Sequence, residues 1–318
     1  MNIKNLTTEI INGRRLTTED DTDFLKAVPL DELSVEADRL RAHFSGNAVD
    51  LCSIISGKSG KCTEDCKYCA QSAFNHTGCD VYDLLDYDTI YEKALSDMNE
   101  GVKRFAIVNS GWGPTDEEFD KLIDIYTRLN KELSISLCAS LGFLSTEQFK
   151  RLYDAGVRRY HNNIETSRRF FPEICTTHLF EDKLENIRRA QSVGLTVCSG
   201  GIIGMGETMD DRIDMAFTLS SLGIKSIPIN TLIPIPNTPL EKLPLLTEEE
   251  ILRTVAIFRF INPEADIRLA AGRRLISGNG EAAYKSGASA AITGNMLTTT
   301  GSTIKNDIEL LTKLKRLA

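Results

Sequence analysis

The chain has 318 residues, 42% hydrophobic and 26% charged, ordinary values for a globular protein and room for one large α/β domain or two small ones. Its 37 Lys and Arg against 45 Asp and Glu leave a formal charge of −8, which argues against a nucleic-acid binder, whose footprint is a basic patch or stripe. No apolar run reaches the roughly 18–20 residues that a membrane-spanning helix needs, and MNIKNLTTEIINGRRLTTED lacks the apolar segment and cleavage site of a secretory signal, so the expectation is a cytoplasmic protein whose eight cysteines are reduced or metal-bound.

Residues 5–45 read as helical. Asn5-Leu6-Thr7-Thr8-Glu9 and Thr17-Thr18-Glu19-Asp20 carry helix-start signals, and Leu33, Ala37, Leu40 and Phe44 recur at a helical period. Residues 1–46 are therefore expected to form a helical lead-in. From residue 49 onward, short apolar runs alternate with amphipathic stretches. The runs are 49–56, 104–110, 133–140, 158–165, 196–203, 226–233, 266–272 and 289–294, and the helix-like segments include 115–130, 145–155, 180–192, 210–222 and 248–261. Gly101, Gly156, Gly194 and Gly223 stand where a helix gives way to the next strand, the place of a C-terminal capping glycine. Eight strands alternating with helices predict an α/β fold, a (β/α)8 TIM-type barrel over residues 47–300, in preference to an open doubly wound sheet. Residues 301–318 read as a C-terminal helical segment.

Directly after the first predicted strand, at the carboxyl end of the barrel, comes Lys61-Cys62-Thr63-Glu64-Asp65-Cys66-Lys67-Tyr68-Cys69. Three cysteines spaced C-x3-C-x2-C on one polar loop suit three corners of a [4Fe–4S] cube and leave one iron open; structural zinc would want four ligands, commonly two separated pairs. Isolated core thiols do not explain three in such a loop. The spacing, with an aromatic residue just before the third cysteine, resembles the radical S-adenosylmethionine (SAM) superfamily. That resemblance implies Cys62, Cys66 and Cys69 as ligands of a [4Fe–4S] cluster that chelates and cleaves SAM, with Tyr68 beside the adenine.

Three further cysteines fall within predicted strands: Cys52 on the first, Cys138 on the third and Cys198 on the fifth. Each interior layer of such a barrel draws its side chains from alternate strands, so these three can share a layer. The seventh strand would complete that layer and carries Arg268 between Ile267 and Leu269. A charged residue so placed should not be buried without an anionic partner. Three thiolates and a guanidinium make chemical sense around a second iron–sulfur cluster.

Longer segments sharpen the resemblance to the biotin synthase family within that superfamily. They include Cys138-Ala139-Ser140-Leu141-Gly142, Tyr160-His161-Asn162-Asn163-Ile164-Glu165-Thr166-Ser167, Val197-Cys198-Ser199-Gly200-Gly201 and Ile267-Arg268-Leu269-Ala270-Ala271-Gly272-Arg273. The resemblance implies conversion of dethiobiotin to biotin, with an auxiliary cluster as the sulfur source. It assigns Cys138, Cys198 and Arg268 to that cluster, Ser110-Gly111 to the amino-acid end of SAM, Glu165 to its ribose, and Asn163 and Asn230 to the ureido ring of dethiobiotin. The sequence departs from the family at Ala106, where a third auxiliary cysteine is usual. Cys52, at a position the family gives to serine, is the candidate replacement, with either a [2Fe–2S] cluster or a four-iron variant.

The family further implies a homodimer and a flavodoxin or ferredoxin as reductant. Arg104 balances cluster charge or pairs with an acidic helix residue, and Trp112 shapes the SAM pocket or packs under it. Gly200-Gly201-Ile202-Ile203-Gly204-Met205-Gly206-Glu207 looks like a dinucleotide loop but lacks the βαβ setting; its glycines read instead as room for SAM. Cys79 and Cys175 match no motif and read as incidental surface thiols. Two alternatives stand beside this reading: another radical SAM enzyme of the same barrel type, and a non-catalytic iron–sulfur carrier or scaffold.

Overall fold

Why the chain closes into a barrel is visible in the parity of its strands. In a computed structural model, which describes residues 2–294, 297 and 301–317, Phe105 and Ile107 of the second strand are fully buried in the outer core that also holds Phe119 and Leu122 of a helix. The alternate residues Arg104, Ala106 and Val108 face a central cavity. The strands are β1 (Asp50–Lys58), β2 (Arg104–Asn109), β3 (Ser136–Ser140), β4 (Val157–His161), β5 (Thr196–Cys198), β6 (Gly201–Ile203), β7 (Ser226–Thr231), β8 (Asp266–Leu269) and β9 (Ala290–Thr293). Every pairing is parallel, in the order β5-β4-β3-β2-β1-β9-β8-β7-β6, and β5 also pairs with β7. β5 and β6 are thus two halves of one stave. The sheet closes with eight staves, as expected, and the open alternative falls away.

Helices Tyr87–Asn99, Asp116–Glu132, Thr146–Asp154, Phe180–Ser192, Met209–Ser221 and Glu248–Ile261 are spaced along the chain between the staves. Four of them begin with a reciprocal capping box, at Thr115/Glu118, Ser145/Gln148, Thr208/Asp211 and Thr247/Glu250. The four expected capping glycines all take positive φ, from 66° at Gly223 to 100° at Gly156. The lead-in forms helices Ile3–Ile11, Asp23–Ala27 and Leu30–Ser45. The last of these buries Leu33, Ala37 and Leu40 completely and packs on Glu248–Ile261. At the other end, helix Ile304–Lys313 is followed by Arg316, whose guanidinium pairs with Asp38 at 2.8 Å. No helix of the described residues is long and apolar enough to cross a membrane.

Several strands differ from their expected limits, and three of the differences bear on the site. The third starts at Ser136 because Leu133 caps the preceding helix. The fourth leaves the sheet after His161: the backbone N–H groups of Ile164 and Glu165 both donate to Gly200 O at 3.1 Å, and Glu165 turns to φ 70°. The fifth is interrupted at Ser199 and Gly200. Gly200 and Gly201 are crowded by protein: a Cβ at Gly200 would lie 1.9 Å from Pro228 O, and one at Gly201 would lie 2.2 Å from Glu165 O. Their role is close contact between staves, a correction to the reading that they make room for SAM.

Candidate active site

The loop after β1 folds back on itself. Cys62 N donates to Gln71 O at 3.0 Å, Ala73 N to Cys62 O at 2.8 Å and Cys69 N to Cys66 O at 3.1 Å. Asn75 Nδ2 clamps the tip by donating to Cys66 O at 3.2 Å and Cys69 O at 2.9 Å. Cys62, Cys66 and Cys69 are half-buried and unpaired by disulfides. Burial pushes the Cys69 thiol up to about 11, so without a metal to stabilise the thiolate it holds its proton at neutral pH. Tyr68 and Cys69 reach into the central cavity. Three free thiols on a clamped loop beside a cavity fit the expected [4Fe–4S] cluster.

A second segment, Ile174 to His178, is sewn onto this loop. Lys67 N donates to Ile174 O at 2.9 Å, Thr176 N to Asp65 Oδ1 at 2.8 Å and Thr177 Oγ1 to Glu64 Oε2 at 2.7 Å. Cys175 is 3% exposed, not a surface thiol, and its Sγ lies 3.8 Å from that of Cys66. The spacing of Cys175 and His178 in the sequence was the only available signal for it. Cys79 is half-buried on the loop that follows the hairpin.

Inside the barrel a cavity of about 320 Å³ opens to the mouth. β4 lines it with Arg159 and His161, and the segment that follows adds Asn163 and Glu165. Cys52, Cys138, Cys198 and Arg268 line it from four other staves, so the fold brings together all four residues of the expected layer. Ala106 lies in register between Ile54 and Cys138, and Arg104 between Cys52 and Ser136. Cys52 therefore flanks the alanine stave from one side and Cys138 from the other.

The positive charge is greater than the sequence suggests. Arg268 donates to Asp50 O and Ala291 O at 3.0 Å and meets Asp50 Oδ2 at 2.5 Å. Arg104 and Arg159 each stand 3.6 Å from the same Asp50 oxygen, too far for a hydrogen bond. Thus Arg104 pairs with a strand aspartate, not a helix one, and Asp50 and Arg159 are site residues that motif reading misses. Arg159 carried a signal in its parity with His161 and Asn163. Buried Arg104 Nε, Arg159 Nε and Arg159 Nη1 have no hydrogen-bond partner. One carboxylate faces three guanidinium groups, and unsatisfied donors point to an anionic occupant.

The thiols respond to that field. Burial works against ionising Cys138, but its contact with Cys52 and the charges of Arg104 and Arg159 outweigh it and bring Cys138 down to about 6. Cys198 is lowered too, burial being outweighed by His161, Arg268 and Arg159. Cys52, next to Cys138 and buried, moves up. Three thiols, three guanidinium groups and uncommitted N–H donors fit an anionic iron–sulfur cluster.

The other expected residues divide. Asn163 and Asn230 line the cavity with amides oriented by the backbone: Asn163 Oδ1 accepts from Gly200 N at 3.0 Å, while Asn230 accepts from Ala271 N at 3.2 Å and donates to Gly201 O at 3.1 Å. Glu165 is 9% exposed, and Asn163 Nδ2 donates to its Oε2 at 3.4 Å. Ser110 stands at the rim, its hydroxyl donating to Gly60 O at 2.8 Å, and Gly111 follows with φ 114°. Trp112 stacks on Phe143 with ring centroids 4.0 Å apart and is 43% exposed, so it packs at the rim.

Residues 58–219, just over half the chain, match the radical SAM superfamily, and residues 228–316 match the biotin and thiamin synthesis associated domain. The barrel with a three-cysteine loop at its mouth is thus that of a radical SAM enzyme. The chain is 54% identical to the biotin synthase of Alkaliphilus metalliredigens over 99% of both chains, and 52% identical to a biotin synthase of Clostridium perfringens over 95% of this chain and 94% of that one. It belongs to the biotin synthase family. Among solved structures, methylornithine synthase (PylB) superposes with a TM-score of 0.85 at 19% identity, covering 98% of this chain and 96% of that one. The [FeFe]-hydrogenase maturase HydG reaches 0.80 at 17% identity, over 99% of this chain and 74% of that one. At such identities these two share the fold alone.

Proposed function

We propose that this chain converts dethiobiotin to biotin with two sets of sulfur ligands working on one cavity: Cys62, Cys66 and Cys69 at the mouth, and Cys52, Cys138, Cys198 and Arg268 within the barrel. The reaction is that of its family. The observation that carries the division of labour is the single cavity onto which Tyr68, Cys69 and the four barrel residues all open. When bound, the hairpin's [4Fe–4S] cluster supplies the electron that cleaves SAM, and the auxiliary cluster supplies the sulfur.

The chain's own residues position and shield. The Glu165 carboxylate is an acceptor suited to the ribose diol of SAM, and Ser110-Gly111 offers backbone at the rim for its amino-acid end. The preset amides of Asn163 and Asn230 suit a ureido ring, which both donates and accepts. Ile202, Leu232, Ile233 and Ile235 form an apolar wall beside them that excludes water from a reacting carbon. Arg104, Arg159 and Arg268 hold positive charge where a cluster carries negative charge. Cys52 serves as the thiolate that Ala106 cannot provide. A flavodoxin or ferredoxin as electron donor, a homodimer and a cytoplasmic location complete the proposal.

The test is anaerobic iron and sulfide counting with Mössbauer spectroscopy on reconstituted wild type and Cys52→Ala, followed by an assay with SAM and dethiobiotin. Two clusters and biotin from the wild type, with the second cluster lost in Cys52→Ala, are expected. An unchanged iron count in Cys52→Ala would remove Cys52 from the ligand set. SAM cleavage without biotin would overturn the assignment of the barrel site.

A further inference from the structure

Cys175 and His178 take no part in the reaction above, yet with Cys66 they bring three metal-ligating groups together at the rim. One donor atom each from Cys66, Cys175 and His178 lie mutually within 4.8 Å. The two Sγ atoms are 3.8 Å apart, and Cys175 Sγ is 3.3 Å from His178 Nδ1 and 3.9 Å from Nε2. Two metal–sulfur bonds of about 2.3 Å at a tetrahedral angle put their sulfurs roughly 3.8 Å apart, and a sulfur and an imidazole nitrogen on one zinc lie roughly 3.6 Å apart. The sulfur–sulfur distance matches such an edge, and the two sulfur–nitrogen distances bracket the other.

The surroundings agree. His178 Nδ1 lies 2.6 Å from Glu64 Oε2, a contact that orients the ring beside Cys175. A carboxylate behind a histidine is the usual support of a metal-bound imidazole. Phe143 and Phe171 hold the ring edge-on at 5.4 and 5.5 Å. The backbone of the segment is tied to the hairpin on both sides of Cys175, at Ile174 and at Thr176. A surface cysteine would need none of this.

We propose that Cys66, Cys175 and His178 form a mononuclear site for a thiolate-preferring divalent cation, zinc or ferrous iron, open only while the [4Fe–4S] cluster is absent. Binding converts two thiols to thiolates and releases their protons. Because Cys66 serves both, the mononuclear cation and the cluster exclude each other. Zinc in this site delays cluster building, whereas ferrous iron places a first metal beside the hairpin. The inference shares only Cys66 with the proposed function. Failure to form biotin would leave it standing, and failure to bind the cation would leave the proposed function standing.

The experiment titrates the full-length, cluster-free chain anaerobically with cobalt(II), a coloured probe of tetrahedral thiolate sites, and then displaces it with zinc. One equivalent of cobalt with thiolate charge-transfer bands is expected at this site, counted as the difference between wild type and Cys175→Ala. Cys175→Ala and His178→Gln should each weaken binding at least about 10-fold, the size of effect that even supporting residues of metal sites show. Cys62→Ala and Cys69→Ala should leave the spectrum unchanged. X-ray absorption of the zinc-loaded wild type, which needs no variant to fold, should give two sulfurs and at least one imidazole nitrogen. Three sulfurs, or cobalt binding that survives Cys175→Ala and is lost in Cys69→Ala, would place the metal on the hairpin and overturn the proposal.

Discussion

The two sulfur-rich regions are built on opposite principles. The rim set, Cys62, Cys66 and Cys69, sits within eight residues of one loop and is half-buried. Its geometry is local, held by the loop's own backbone and by Asn75. The barrel set, Cys52, Cys138, Cys198 and Arg268, spans more than two hundred residues and meets only when eight staves close. At the rim burial keeps a thiol protonated, as at Cys69. The interior buries charge, and the strong field it gains carries a folding cost.

The largest effect should come from the rim. Cys69→Ala is expected to lower formation of 5′-deoxyadenosine from SAM by at least about three orders of magnitude, as removal of a group acting within a catalytic unit does. Chromatography of the anaerobic reaction checks it. Cys138→Ala should stop biotin formation while still releasing 5′-deoxyadenosine. If both variants lost SAM cleavage equally, the two regions would be one functional unit and the comparison would break.

Stability should separate them the other way. Asp50→Asn leaves Arg104, Arg159 and Arg268 facing one another without their shared carboxylate. Removing one partner of a buried ion pair costs about 3–5 kcal/mol, and urea unfolding of the cluster-free chain should register a loss of that order. Cys69→Ala should shift the same curve little. Gly201→Ala comes next: its Cβ would collide with Glu165 O and Met215 Sδ. Overpacking of this kind costs about 1–3 kcal/mol, and the backbone carrying Glu165 should shift, weakening SAM binding measured by calorimetry.

The same contrast explains what could be read from the sequence. The rim needed no fold, because three cysteines and a tyrosine at fixed spacing already mark the loop as a candidate cluster site. The barrel layer was legible as residues on alternate strands, because strand parity in a closed barrel predicts who meets whom. Asp50 and Arg159 were not, since their importance lies in a charge balance that exists only after closure. Cys175 and His178 escaped for a related reason. Only their own spacing marks them locally, and their partners Cys66 and Glu64 lie more than a hundred residues earlier. The break in the fifth stave was hidden as well, because Gly200 and Gly201 answer to Pro228 and Glu165 and not to their neighbours in the chain.

A last variant tests the segment that joins the two regions. Asp211 accepts from Ser167 Oγ at 2.6 Å, Arg169 Nε at 3.0 Å and Thr208 N at 2.8 Å. It thereby anchors the turn between Glu165, which faces the cavity, and Cys175, which faces the hairpin. Burial alone would raise its carboxyl, but Arg169, Ser167 and Thr208 outweigh it and hold it well below the usual range. A carboxyl depressed on folding stabilises the native state above its unfolded value, near pH 4, and that contribution fades as the pH falls through the folded value. Asp211→Asn should therefore cost about 1.5–3 kcal/mol near neutrality, the range for hydrogen bonds to a charged group, and progressively less in acid. Amide exchange of the cluster-free chain should quicken in the variant on both sides of the turn. Faster exchange around Cys175 with Glu165 unmoved would mean that the cavity and the rim are anchored separately.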